Sequence, residues 1–158
     1  MSKILEDIRN LLKFNKIDFQ ELHHEPTPTS EDSAKARGEC ISIGGKALVL
    51  KIGNNFKLFV VSGDKKLNTK SLKKHFSVKK VRFATHEELF NLTTLKPGSV
   101  PPFGKPILPL DLYVDLAVKR NEKIAFNAGS VTDSITMAVD DYLKIAKPLE
   151  IFDYSIDK

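Results

Sequence analysis

The sequence predicts an α/β (α+β) fold: a single domain in which a curved mixed β-sheet is flanked by helices. Three observations predict it. Helical and strand periodicities intermingle along 158 residues without the regular strand-helix alternation of a dinucleotide fold. An apolar content of 41% over that length suffices for one substantial core and hardly for two, so one domain is expected over 1–158, with a helix and lead-in over 1–20. Two apolar runs joined by Gly53-Asn54-Asn55 read as a hairpin, the most legible piece of the sheet.

Ile4, Leu5, Ile8, Leu11 and Leu12 recur at helical spacing behind Ser2, a good N-cap, which predicts an amphipathic helix over 3–14. Residues 17–23 read as a short strand. The two prolines of 26–29 forbid regular pairing, and Thr29 with Asp32 forms an acidic variant of the capping box. That box opens a short helix through Ala34 and Ala36, which Gly38 can stop. Strands are expected over 47–52 and 56–61, the first directly after Gly44-Gly45-Lys46. Lys70, Lys73 and Lys74 then share one face of a helix whose other face carries Leu72 and Phe76. A short strand follows at 81–83, and Thr85 with Glu88 makes a capping box for a helix reaching about Leu92. From 95 to 109 the chain holds five prolines and two glycines in fifteen residues, too irregular for helix or sheet and long for an idle connection. Strands over 112–116, 123–127 and 134–139 and a last helix, capped by Asp140 and running through Ile145, complete the pattern.

Charge is distributed unevenly. The net charge is +5, yet the eight basic residues between Asp64 and Glu87 stand without one acidic neighbour, and subtracting them leaves −3 for the rest. The positive charge is therefore local, and points to a polyanionic partner met at one place. No apolar run approaches the eighteen residues of a membrane span, which predicts a soluble, cytoplasmic protein away from membranes. A single cysteine, Cys40, excludes an internal disulfide and a Cys-rich zinc site, and is expected to be a small buried apolar residue.

Familiar catalytic motifs are absent. Gly45-Lys46 resembles the end of a phosphate-binding loop, but Cys40 stands at the required upstream glycine and Ala47 at the Ser/Thr. His86-Glu87-Glu88 begins like a zinc-protease helix, yet Phe90 occupies the place of the second histidine. No Gly-x-Ser-x-Gly elbow exists. His23 and His24 precede the Pro-Thr stretch as alternating residues, and are read as a surface histidine beside a partly buried, satisfied one.

Five segments stand in a distinctive order: HEPTPTSEDSAKARG (24–38), GGKALVL (44–50), GSVPPFG (98–104), AFNAGS (125–130) and SITMAV (134–139). Together, residues 24–148 resemble the YbaK/aminoacyl-tRNA deacylase family, trans-editing proteins similar to the insertion domain of bacterial prolyl-tRNA synthetase. The resemblance implies a YbaK-like fold. It implies hydrolysis of the ester between a wrong amino acid and the 3′ adenosine of a tRNA, with no metal and no cofactor. The substrate would be aminoacyl-tRNA, foremost tRNA for proline carrying Cys or Ala, with prolyl-tRNA synthetase as a candidate partner. An ester already has a good leaving group, so positioning, oxyanion stabilisation and admitted water suffice, and no strong nucleophile is demanded.

By the same resemblance, Lys46 holds the terminal nucleotide or the reacting carbonyl. From the residues alone it reads rather as an edge-strand lysine that discourages sheet pairing, and the resemblance reverses that reading. Gly98 and Pro102 match a Gly-x-x-x-Pro loop that presents backbone N–H groups to the ester, against a plain surface turn. Asn127 stands where relatives place Ser or His, so it contacts the amino acid or the ribose, or only bonds its own turn. Gly129 and Ser130 belong to the same substrate-binding segment. Thr27, Thr29 and Phe103 are candidates for the pocket lining, Thr29 also for a simple helix cap. Lys70, Lys73 and Lys74 suit the acceptor-stem phosphates, or form a solvated helix face. Two other functions compete: a noncatalytic tRNA- or nucleotide-binding module of the same fold, and a general esterase indifferent to tRNA and to salt.

Overall fold

A computed structural model describes residues 3–26 and 29–158. Helix α1 (Lys3–Phe14) buries Leu5, Ile8 and Leu12, the stripe set by its periodicity, while the Ser2 cap falls outside the described residues. Strand β1 (Phe19–His23) leads towards α2 (Ser30–Arg37). Thr29 caps α2 by accepting the Asp32 N–H at 3.0 Å, and Gly38 ends it in the left-handed conformation. Strands β2 (Gly45–Ile52) and β3 (Asn55–Ser62) form the expected hairpin, with Ile52 opposite Asn55. The strand starts two residues earlier than the apolar run suggests, so Lys46 sits inside β2.

Then come β4 (Lys65–Leu67), α3 (Thr69–Phe76), β5 (Val81–Phe83) and α4 (His86–Thr93), with both halves of the Thr85/Glu88 capping box formed. Past the proline-rich loop lie β6 (Asp111–Asp115), α5 (Leu116–Lys119), β7 (Lys123–Asn127) and β8 (Asp133–Ala138). The chain ends with α6 (Val139–Ala146), β9 (Glu150–Phe152) and β10 (Ser155–Asp157). Three expectations need correction. Ala138, not Asp140, is the N-cap of α6; Asp140 falls in the first turn, where its charge faces the positive helix end. Leu116 leaves the strand because the Asp115 side chain accepts the Ala117 N–H and starts α5. Cys40 is exposed: it lies on the surface connection that follows the Gly38 cap and precedes a 3-10 turn at Ile41–Ile43.

The central sheet is mixed and five-stranded, ordered β5-β2-β3-β6-β9, with β3/β6 and β6/β9 parallel and the remaining pairs antiparallel. A three-stranded antiparallel sheet, β1-β8-β7, accompanies it, and a β4/β10 ribbon closes the far side. Alternation along β2 and β3 divides the core. Val49, Leu58 and Val60 pack with α1 and with Ile124, Phe126, Ile135 and Met137 of the smaller sheet. Leu50, Ile52, Phe59 and Val61 pack on the opposite face with Leu72 and Phe76 of α3 and with Tyr154. One parallel bridge, Gly44 to Ala125, ties the lead-in of β2 to β7 and thereby joins the two sheets at the start of β2.

Candidate active site

The junction of the two sheets leaves a cavity of about 230 Å³ walled by α2, the first residues of β2, the proline-rich loop and the end of β7. Gly45 makes the close approach possible. A Cβ there would fall 2.6 Å from Ile124 of β7, so any larger residue would push the sheets apart. Lys46 follows immediately, on a strand paired with β3 opposite Val61, which fixes the root of its side chain. By alternation it shares the side of β2 that carries Leu48 and Leu50, the side α3 covers. Among the described residues its ammonium has neither a hydrogen-bond nor an ion-pair partner. Burial first, then the charge of Lys158, hold its pKa below the ordinary lysine value, against a smaller opposing pull from Glu31. It is a half-buried cation held in reserve.

The loop wall is set by Gly98, at φ +87°, a conformation side chains disfavour. The Gly98 carbonyl accepts the Asn127 side-chain N–H at 2.6 Å, so the loop is pinned to β7. Gly98 and Val100 both line the cavity, and among the described residues their N–H groups have no partner. Pro102 cannot donate; it is buried, and its carbonyl accepts the Tyr142 hydroxyl at 2.5 Å, which anchors the loop from behind. Pro102 thus supports the wall without lining it.

The structure therefore brings together Lys46, Gly98 and Asn127 and separates the other candidates from them. Phe103 is 1% exposed and packs edge-on against Phe126 and Tyr142 in the core, so it does not line the cavity. Gly129 donates its N–H to the Ser99 carbonyl, and Ser130 bonds Thr132 within its own turn; neither is on the wall. Thr29 serves as the α2 cap, and Thr27 lies outside the described residues. Lys70, Lys73 and Lys74 are exposed on α3, away from the cavity lining.

Composition and motif spacing missed a polar stripe. Ser30, Ser33 and Arg37 recur at i, i+3 and i+7 along α2 and line the cavity opposite Lys46. Arg37 donates from Nε to the Ser134 Oγ and from Nη2 to the Asn127 Oδ1, each at 3.1 Å. His24 joins from behind: its Nδ1 faces the Glu25 carbonyl at 2.8 Å and its Nε2 the Ser134 hydroxyl at 2.6 Å. His23 pairs with Asp133 on the surface, so the two histidines divide as their alternation predicts. The helical spacing was the available signal, hidden because α2 is polar on all sides.

Known proteins resemble this chain in sequence and in fold. The model of the aminoacyl-tRNA editing domain family matches residues 24–145, and the chain belongs to that family. It is 32% identical over 143 residues to the multifunctional Ser/Thr-tRNA deacylase ProXp-y of Escherichia coli (strain K12), covering 87% of this chain and 85% of that one. Proline–tRNA ligase of Macrococcus caseolyticus (strain JCSC5402) is 28% identical over 83 residues, covering 52% of this chain and 14% of the ligase. The crystal structure of a candidate trans-editing enzyme for prolyl tRNA synthetase superposes with a TM-score of 0.82 at 24% identity, over 99% of both chains. No helix among the described residues is long and apolar enough to cross a membrane.

Proposed function

We propose that this protein is a trans-acting deacylase that hydrolyses the ester between a small, wrongly attached amino acid and the 3′ adenosine of a tRNA. The observation that carries this is one cavity lined by Lys46, whose half-buried ammonium has no partner among the described residues, and by Gly98 and Val100, whose N–H groups have none there either. Water attacks the ester carbonyl, the two N–H groups receive the oxyanion, and the bond to the 3′ oxygen breaks as that oxygen takes the proton the water gives up and leaves as the ribose hydroxyl. Lys46 holds the terminal nucleotide or the carbonyl in register with the loop. Asn127 keeps the Gly98 carbonyl turned away, so that the loop offers donors to the site. No metal or cofactor enters the proposed step. The lysines of α3 meet acceptor-stem phosphates, and the site of action is the cytoplasm, with prolyl-tRNA synthetase as the candidate partner.

The amino acid has two assignments. Likeness to editing domains of proline–tRNA ligases favours Cys or Ala on tRNA for proline. The polar wall of Ser30, Ser33, Arg37 and Asn127, together with the likeness to a Ser/Thr-tRNA deacylase, favours Ser or Thr. Deacylation of tRNA for proline charged with Ala, Cys, Ser or Pro, beside Ser- and Thr-charged cognate tRNAs, separates them. The proposal expects release of at least one noncognate amino acid and none of proline. Retained tRNA affinity with no release above background would instead make the protein a binding module.

A further inference from the structure

The guanidinium of Arg37 is held at two of its three nitrogens. Nε and Nη2 are fixed by Ser134, itself 2% exposed, and by Asn127, while His24 holds the Ser134 hydroxyl from the other side. The Ser134 oxygen accepts from Arg37 Nε and lies 2.6 Å from His24 Nε2 and 3.2 Å from the Asn127 Oδ1, while His24 Nδ1 lies 2.8 Å from the Glu25 carbonyl. Among the described residues no carboxylate forms an ion pair with Arg37; Glu39 acts on it only at longer range. The Nη1 edge has no partner among the described residues and lies towards Gly44, where even a Cβ would stand 3.9 Å away. Arg37 and Gly44 both line the cavity, so the unengaged edge of an oriented fork lies beside a lining residue without a side chain.

We infer that Arg37 is a specificity-determining residue whose Nη1 edge donates to the hydroxyl oxygen of the aminoacyl side chain. The inference rests on the deacylase proposal and deepens it. The α-carbon of the bound amino acid carries an ammonium, an ester carbonyl and a side chain. The carbonyl belongs with Lys46 and the Gly98 loop, and the ammonium is repelled by a guanidinium, which leaves the side chain to face Arg37. A guanidinium donates and cannot accept. It rewards a hydroxyl oxygen, gains little from a thiol, and is left unsatisfied by a methyl group. A site built around such a donor discriminates by the missing partner more than by volume.

The test is a ratio. Wild-type protein, Arg37→Met and Arg37→Lys are each assayed on the same tRNA charged with Ser, Thr, Ala or Cys. Wild type is expected to release Ser and Thr faster than Ala and Cys, and Arg37→Met to lower the Ser-to-Ala ratio of kcat/KM by about 10- to 100-fold. Because both substrates meet one preparation, a smaller folded fraction cancels in the ratio. Should Arg37→Met fail to fold, Arg37→Lys decides, with a drop of about 3- to 10-fold expected from losing the fork while keeping the charge. A ratio within twofold of wild type in the deciding variant overturns the assignment, as does a wild-type preference for Ala over Ser. Failure of wild type to release any amino acid overturns the deacylase proposal itself, and appears before any variant is made.

Discussion

Two buried polar regions of this molecule are built on opposite principles. At the end of β6, two strands across from Lys46, Asp115 is fully buried, and its oxygens accept the Tyr154 N–H at 2.8 Å, the Ser155 hydroxyl at 2.6 Å and the Ala117 N–H at 3.2 Å. The Tyr154 hydroxyl accepts the Val60 N–H at 2.8 Å and lies 2.7 Å and 2.9 Å from the Val60 and Tyr113 carbonyls. Each group there is satisfied within the chain. At the sheet junction, by contrast, Lys46 has no partner among the described residues, and the Arg37 fork is fixed at one edge and without a partner there at the other. Two cations without an ion-pair partner among the described residues line one cavity, where they are available to something that arrives from outside.

Exchanging residues across this divide should separate activity from stability. Lys46→Ala removes the reserved cation and is expected to lower kcat/KM for deacylation by about 10²- to 10³-fold, while the urea midpoint stays the same or rises. Loss of hydrolysis in step with loss of folded protein would contradict it. Asp115→Ala should do the reverse. Three donors lose their acceptor in a dry site, costing about 3 kcal/mol in urea unfolding, while kcat of the folded fraction is preserved. A stability change within ±0.5 kcal/mol would show that the C-terminal segment is held by packing alone.

This contrast also explains what was legible in the sequence. The α1 stripe, the β2/β3 hairpin and the Thr85/Glu88 box each depend on neighbours a few residues apart, and each formed. Strands β4, β9 and β10 escaped because they depend on partners far along the chain, with Asp115 accepting the Tyr154 N–H to fasten the chain end across the sheet. The cavity was half legible. Lys46 and Gly98 stand out beside glycines, and a bulky residue at Gly45 could not have faced Ile124. Phe103 has the size and loop position of a pocket residue, but points inwards because Phe126 and Tyr142 offer an apolar seat. Arg37 escaped because its partners, Asn127 and Ser134, are 90 and 97 residues away.

A third region lies outside both. Lys70, Lys73 and Lys74 are exposed on α3, and none of them has an ion-pair partner among the described residues. If they meet phosphates, replacing all three with alanine should reduce the slope of log affinity against log salt by about 2 to 3 and raise KM several-fold, with kcat unchanged. An unchanged slope would make them a solvated helix face.

The smallest effect should come from Lys158, whose amine pairs with Glu31 at 3.2 Å while its charge disfavours the Lys46 ammonium. The sign follows from the lowered pKa. Since the folded protein binds the Lys46 proton less tightly than the unfolded chain does, the charged form costs stability below the folded pKa, and that cost fades as pH rises through the ordinary lysine value. A deacylation step that uses the ammonium has the opposite exposure: it is lost as pH rises through the folded pKa, earlier than an unperturbed lysine would dictate. Lys158→Ala removes one of the two causes of the shift but frees Glu31, whose charge favours the ammonium. The alkaline limb of kcat/KM, corrected for spontaneous ester hydrolysis, should therefore move to higher pH, and Lys158→Glu should move it further. A limb that stays in place in both variants would mean that the titrating group is not Lys46, and would return that residue to the satisfied, structural half of the molecule.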